Sequence, residues 1–183
     1  MPTVLVPLAH GCEELEAVTI VDLMRRAGIE VITAGLDAQP VQASRGMVLV
    51  PDKSIDDVMQ TEFDMIVLPG GLPGADHLQQ DARIQQLLKR MHRDGKYTAA
   101  ICAAPKALAA AGLLDNRRAT CYPGCLDNTN TINMTYLENT VVIDGKVVTS
   151  RGPGTAMDFT LVLIELLLGE KKRLEVEKPL LRP

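Results

Sequence analysis

Tyr97-Thr-Ala-Ala-Ile-Cys-Ala-Ala-Pro-Lys106 is the stretch on which the reading of the fold turns. Residues 97–101 form a short apolar run, the pattern of a strand buried on both faces. Residues 103–111 are rich in strong helix formers, and Pro105 suits a first helical turn, where a missing N–H is no loss. Cys102 stands at the joint, in the layout of a strand–nucleophile–helix elbow, with Ala103 and Ala104 small enough for a tight turn. A thiol there faces unpaired helix N–H groups and the positive end of the dipole, so a lowered pKa and a reactive thiolate are expected. The alternative is a small buried hydrophobe, the usual role of a cysteine in an Ala-rich segment.

Working outward, residues 3–9 are almost continuously apolar and read as a central strand. Pro7 has no N–H, so it must lie where the ladder needs none. After the turn His10-Gly11-Cys12, residues 13–26 read as an amphipathic helix, with Leu15, Val18, Thr19, Asp22, Leu23 and Arg26 on helical spacings. Its acidic start (Glu13, Glu14, Glu16) and basic end (Arg25, Arg26) match the helix dipole, and Gly28 stops it. With a second strand over 29–34 this is a βαβ unit, which fixes a parallel pair and a right-handed crossover. Residues 41–43 and 47–50 flank Ser44-Arg45-Gly46 as a small antiparallel excursion. A helical turn starts at Asp52-Lys53-Ser54, and a buried strand over 64–68 ends at Pro69-Gly70-Gly71. A helix over 81–93 points Ile84, Leu87, Leu88 and Met91 inward.

Beyond the Cys102 helix, closed by Gly112, the reading gives a strand over 118–121 and a polar loop over 123–133. A hairpin then crosses Asp144-Gly145, followed by an apolar helix over 154–168 and a charged one over 170–178. Strands alternating with helices describe one α/β domain over 1–183, with a mostly parallel central sheet and helices on both faces.

Composition narrows the function classes. A net charge of −4 and a pI of about 5.4 carry no nucleic-acid footprint, and 3% aromatics offer no base-stacking platform. No signal peptide is read at the N-terminus, and no apolar run has the length of a membrane span. Cysteine usage points to thiols in a reducing compartment, hence a cytoplasmic protein. Cys121 and Cys125 make at most half of a zinc site, with no second pair at the required spacing, so no metal is expected.

In doubly wound folds ligands bind at the carboxyl ends of the strands. Four segments follow strand ends: 10–16, 68–74, 102–105 and 151–155. Gly70 and Gly71 present backbone N–H groups with no side chain in the way, and with the Ala103 N–H they make a candidate oxyanion hole beside Cys102. Taken alone, the glycine pair is equally a plain tight turn. Glu16 sits one turn into the first helix, where it can point in from the strand ends; in an apolar pocket its pKa would rise and it could share a proton with the thiolate. A solvated Glu16 is the competing reading, and Glu13 and Glu14 are read as solvated dipole partners. Arg45 and Arg151 are candidates for holding an anion, with a surface salt bridge the competing reading for Arg45. Cys12 reads as a packing residue.

The stretches Leu8-Ala-His-Gly-Cys-Glu-Glu-Leu-Glu-Ala17, Val67-Leu-Pro-Gly-Gly71, Ala99-Ala-Ile-Cys-Ala-Ala-Pro105 and Thr149-Ser-Arg-Gly-Pro-Gly-Thr155 together resemble the DJ-1/ThiJ/PfpI superfamily, most closely its DJ-1 branch, which includes bacterial ThiJ-type proteins. The resemblance implies a flavodoxin-like three-layer sandwich and a homodimer. It implies that Cys102 is the family's oxidisable cysteine, that Glu16 is its protonated glutamate, that the Gly71 and Ala103 N–H groups flank the sulfur, and that Arg45 and Arg151 stand near the pocket entrance. One departure is plain: where the branch often carries a histidine, this chain has Tyr122 in Cys121-Tyr122-Pro123. No Cys–His dyad is available from that position, Glu16 becomes the leading proton carrier, and Tyr122 can offer a hydroxyl hydrogen bond. The implied activity is cofactor-independent: a glyoxalase converting methylglyoxal to lactate, or a deglycase, acting on small reactive carbonyls. The alternative is a non-enzymatic redox sensor or chaperone whose Cys102 oxidises to sulfinate.

Overall fold

The computed structural model describes residues 1–182. In chain order the elements are β1 (Thr3–Leu8), α1 (Glu14–Arg26), β2 (Glu30–Gly35), β3 (Val41–Gln42), β4 (Val48–Leu49), β5 (Lys53–Ser54), α2 (Ile55–Val58), β6 (Met65–Leu68), α3 (Gly74–Gln80), α4 (Ala82–Arg93), β7 (Tyr97–Ile101), α5 (Pro105–Ala110), β8 (Arg118–Ala119), β9 (Thr135–Tyr136), β10 (Val141–Asp144), β11 (Val147–Ser150), α6 (Ala156–Leu168) and α7 (Glu170–Glu177). A seven-stranded sheet runs β10-β11-β7-β6-β1-β2-β5. Every pairing in it is parallel except β10 with β11. The carboxyl ends of β11, β7, β6 and β1 therefore line up side by side on one edge. α1 packs against α6 on one layer, and α3, α4 and α5 pack together on another.

The strands at the centre are buried because both faces are covered: Val4, Leu5, Val6, Met65, Ile66, Val67, Leu68, Ala99, Ala100 and Ile101 are all fully buried. Pro7 sits where the missing donor does least harm. β1 pairs with β2 along its whole length but with β6 only through Val4 and Leu5, so Pro7 lies beyond the β6 ladder. Helix α4 presents the expected inward face of Ile84, Leu87, Leu88 and Met91, and the Asp81 carboxylate caps it by accepting from Arg83 N–H at 2.9 Å.

Several expectations are corrected. In α1 the buried face is Glu16, Ala17, Ile20, Leu23 and Met24, while Leu15 and Val18 are 51% and 46% exposed. Both sets have helical spacing; the one that turns Glu16 inward wins. The helix after Cys102 begins at Pro105 rather than Ala103, because Ala103 and Ala104 are spent on the turn. The hairpin pairs Asp144 with Val147, so its two turn residues are Gly145 and Lys146, with Gly145 at φ 61. Helix α3, which begins directly after Pro73, has no counterpart in the sequence reading. The segment starting at Arg118 pairs for only two residues, with a parallel partner, Thr135–Tyr136, that local patterning does not reveal.

Candidate active site

Cys102 follows β7 directly and adopts φ 63, a left-handed conformation that costs a non-glycine residue roughly 1–2 kcal/mol. Its backbone is pinned on both sides: the Cys102 N–H donates to Ser150 O at 3.0 Å, and its carbonyl accepts from the Tyr122 N–H at 2.8 Å. Strand β11 and the loop after β8 thus hold the elbow, which puts the sulfur at the edge where four strands end. The residue is 8% exposed.

The turn after β6 runs alongside. A Cβ on Gly70 would lie 2.6 Å from Cys102 Cβ and 2.9 Å from both Glu16 Oε2 and Ile101 O, so only glycine fits between the thiol and the carboxyl. Gly71 has φ 88, and a Cβ there would meet the backbone of Gly11, Cys12 and Glu13. The Gly71 and Ala103 N–H groups both face the Cys102 sulfur. Glu16, fully buried, enters from α1 and accepts from the Gly70 N–H through Oε2 at 2.7 Å. Its side chain also lies within hydrogen-bonding reach of Cys102. Oε1 has no hydrogen-bond partner among the described residues. A buried acceptor with no donor is costly, whereas a protonated carboxyl can turn its O–H toward the sulfur.

The electrostatics follow from this geometry. Burial pushes the Glu16 carboxyl up to about 7, against the lowering pull of the Gly70 N–H and of Cys102. Burial, then the negative charge of Glu16, pushes the Cys102 thiol up to about 12, while the Gly71 and Ala103 N–H groups pull it down. The expected lowering by the helix start is therefore outweighed: α5 is short, and the thiol is almost out of water. The two groups titrate as a pair: both are protonated below about pH 7, and above it they share one proton. With that proton on the carboxyl, the sulfur becomes a thiolate facing two N–H donors and one O–H donor.

Around this centre, Tyr122 is 52% exposed, and its ring packs at the position where a Gly152 side chain would begin, 3.4 Å from Tyr122 Cδ2. Arg151 follows β11, and its guanidinium reaches Glu138 O at 3.4 Å. Arg45 lies exposed on the β3–β4 hairpin, and among the described residues no hydrogen bond or ion pair of its guanidinium ties it to the Cys102 cluster. Its backbone explains the hairpin instead. The Glu14 carboxylate, buried rather than solvated as the sequence suggests, accepts from Arg45 N–H at 2.9 Å, Ser44 Oγ at 3.0 Å and Met47 N–H at 3.5 Å. Burial raises its pKa, but these bonds outweigh burial and hold it below the usual carboxylate range. Glu13 also leaves solvent in part, accepting from Ser44 Oγ at 3.1 Å.

One pair near the site carries no sequence signal. Lys106 in α5 and Asp76 in α3 form an ion pair in which the lysine side chain is only 17% exposed. It joins the helix after Ala103 to the helix after Gly71, and so braces the two segments whose N–H groups face the sulfur. No group of three or more His, Cys, Asp or Glu side chains among the described residues has the geometry to hold a metal. No helix among them is long and apolar enough to cross a membrane.

The model of the DJ-1/PfpI family matches residues 2–166. Over 183 residues the chain is 44% identical to protein DJ-1 homolog B of Arabidopsis thaliana, covering 98% of this chain but 42% of that relative; the chain thus spans less than half that relative's length. It is 38% identical to the glutathione-independent glyoxalase DJR-1.2 of Caenorhabditis elegans, covering 93% of this chain and 91% of the relative. The crystal structure of Drosophila melanogaster DJ-1beta superposes with a TM-score of 0.95 at 41% identity, covering 100% of this chain and 98% of that one.

Proposed function

The chain belongs to the DJ-1/PfpI family, and from that premise we propose that it is a cysteine-dependent carbonyl-stress protein, a cofactor-independent glyoxalase that converts methylglyoxal to lactate or a deglycase on related adducts. The observation that carries this reading is the juxtaposition of Cys102 with a buried carboxyl, Glu16, whose pKa is about 7, and with the Gly71 and Ala103 N–H groups. The naming of the Caenorhabditis elegans relative as a glutathione-independent glyoxalase supports it.

In this reading the Cys102 sulfur adds to the aldehyde carbon while its proton passes to Glu16. The developing oxyanion lies against the Gly71 and Ala103 N–H groups. Glu16 returns that proton to the oxyanion to give the hemithioacetal, then as carboxylate moves a proton from the aldehyde carbon to the neighbouring one while the hydroxyl proton passes to the second oxygen, which leaves a thioester; water hydrolyses it to lactate and frees the thiol. A group with a pKa near neutrality suits both directions of transfer. Tyr122 and Arg151 border the entrance and orient the substrate. The working compartment is the cytoplasm, and the working form is a homodimer.

The test is lactate production from methylglyoxal in metal-free buffer. Cys102→Ser is expected to abolish turnover, and Glu16→Gln to reduce it at least ~100-fold. A second reading, a redox sensor or chaperone without turnover, draws on the same N–H pair, which would equally hold a sulfinate at Cys102. A wild type that makes no lactate yet gains two oxygens at Cys102 under peroxide would replace the first reading with the second.

A further inference from the structure

Two cysteines outside the Cys102 centre lie in one tight turn. Cys121-Tyr-Pro-Gly-Cys125 folds back on itself, with Gly124 at φ 84 and the Cys125 N–H donating to Tyr122 O at 3.0 Å. The Cys121 sulfur donates to Tyr122 O at 3.0 Å, and the backbone N–H groups of Leu126 and Cys125 face it. A sulfur that faces the N–H of residue 125 stands beside that residue's own Cβ, so a change of side-chain rotamer is the motion needed to bring sulfur to sulfur. Both thiols are free.

We propose that Cys121 and Cys125 form a reversible dithiol–disulfide pair, a second redox site distinct from Cys102, whose co-reactant is a small soluble disulfide. Their burial assigns the order of events. Cys125 is half-buried and accessible; Cys121, 1% exposed, can be reached only from within the turn. Burial raises the Cys125 thiol, as do the Asp76 and Asp127 carboxylates, while the Lys106 ammonium nearby works the other way. The Cys125 thiolate attacks one sulfur of the soluble disulfide, whose S–S bond breaks and releases one soluble thiol. Cys121 then loses its proton and attacks the Cys125 sulfur, and the second soluble thiol leaves. Two electrons pass from the protein pair to the soluble disulfide, and two protons go to the two thiols released. Cys121, pushed up to about 11 chiefly by burial, is a slow attacker in bulk terms, but its effective concentration within a five-residue turn offsets this. The site bears on the elbow, because Tyr122, between the two cysteines, donates its N–H to Cys102 O.

The experiment uses the full chain carrying Cys102→Ser, so that the reactive thiol does not intervene. The protein is incubated with oxidised glutathione, blocked with iodoacetamide, digested with trypsin and mapped by mass. The peptide between Arg118 and Lys146 holds both cysteines. It is expected to be unblocked and lighter by two hydrogens, and to take up two blocking groups after dithiothreitol. Adding Cys121→Ser is expected to stop the reaction at a glutathione adduct on Cys125. A peptide blocked at both positions, a stable glutathione adduct with Cys121 intact, or a bond from either cysteine to Cys12 overturns the proposal.

Discussion

At the scale of single residues, the site depends on one carboxyl and one thiol sharing a proton in a space that admits no extra methyl group. The pH consequence for Glu16 can be signed. The folded carboxyl keeps its proton up to about pH 7, whereas an ordinary one releases it near 4.5. Between those values the native state binds more protons than the unfolded one, so stability falls as pH rises through the window. Glu16→Gln removes that decline; chemical denaturation at pH 5 and pH 8 should show a flatter profile, with the variant gaining on the order of 1–3 kcal/mol over wild type at the higher pH. Unchanged slopes would mean that Glu16 is ionised in the fold. Gly70→Ala tests the packing. Its methyl group would lie 2.6 Å from Cys102 Cβ and 2.9 Å from the Ile101 carbonyl, so a loss of about 1–3 kcal/mol and slower alkylation of Cys102 by iodoacetamide are expected.

At the scale of elements, two contacts hold the segments that carry the site. Glu14, in the first turn of α1, takes donors from Ser44, Arg45 and Met47 and so fixes the β3–β4 hairpin. Glu14→Ala leaves those N–H groups to find water, at a cost of about 2–3 kcal/mol. Hydrogen exchange should then accelerate over residues 44–47 while the strands of the main sheet stay protected. The Lys106–Asp76 pair joins α5 to α3. Asp76→Asn strands a mostly buried ammonium, with an expected loss of roughly 1–3 kcal/mol after allowing for its partial exposure. If the pair positions the two N–H donors, kcat for methylglyoxal falls more than KM rises; a fall in stability with unchanged kcat would reduce it to a structural brace.

At the scale of the molecule, one group of exposed apolar residues lies on α1 and the neighbouring hairpin. Leu15, Val18, Met47, Val48 and Val50 are 51%, 46%, 52%, 61% and 78% exposed. Glu14 joins those two elements, so they form one surface, and this apolar patch is the face we propose for the homodimer. A homodimer formed through it should dissociate in Val50→Asp or Val18→Asp. Sedimentation velocity would show a shift to the monomer, with Cys102 alkylation retained; a variant that remains dimeric would move the interface elsewhere.

The sequence by itself determined the main strands and helices, though not α3 or β9, together with the elbow at Cys102 and the glycine turn at Gly70-Gly71, because each rests on a local property: apolar runs, helix formers, residues that tolerate a close approach. It also offered Glu16 as a candidate, but α1 carries two sets of residues at helical spacing, and only packing against α6, β1 and β2 chose the face that buries Glu16. The same choice exposed Leu15 and Val18. The thiol's electrostatics lay beyond the sequence as well: the helix dipole argues for a lowered pKa, while burial and the facing carboxyl, both products of the tertiary structure, raise it. Glu14 reads like Glu13 in the chain, yet the hairpin that meets it makes it an anchor. Lys106 and Asp76 are separated in sequence and joined only when α3 and α5 pack. Local signals fix what each segment becomes; which of its faces turns inward, and what each charge meets there, is decided where the segments pack together.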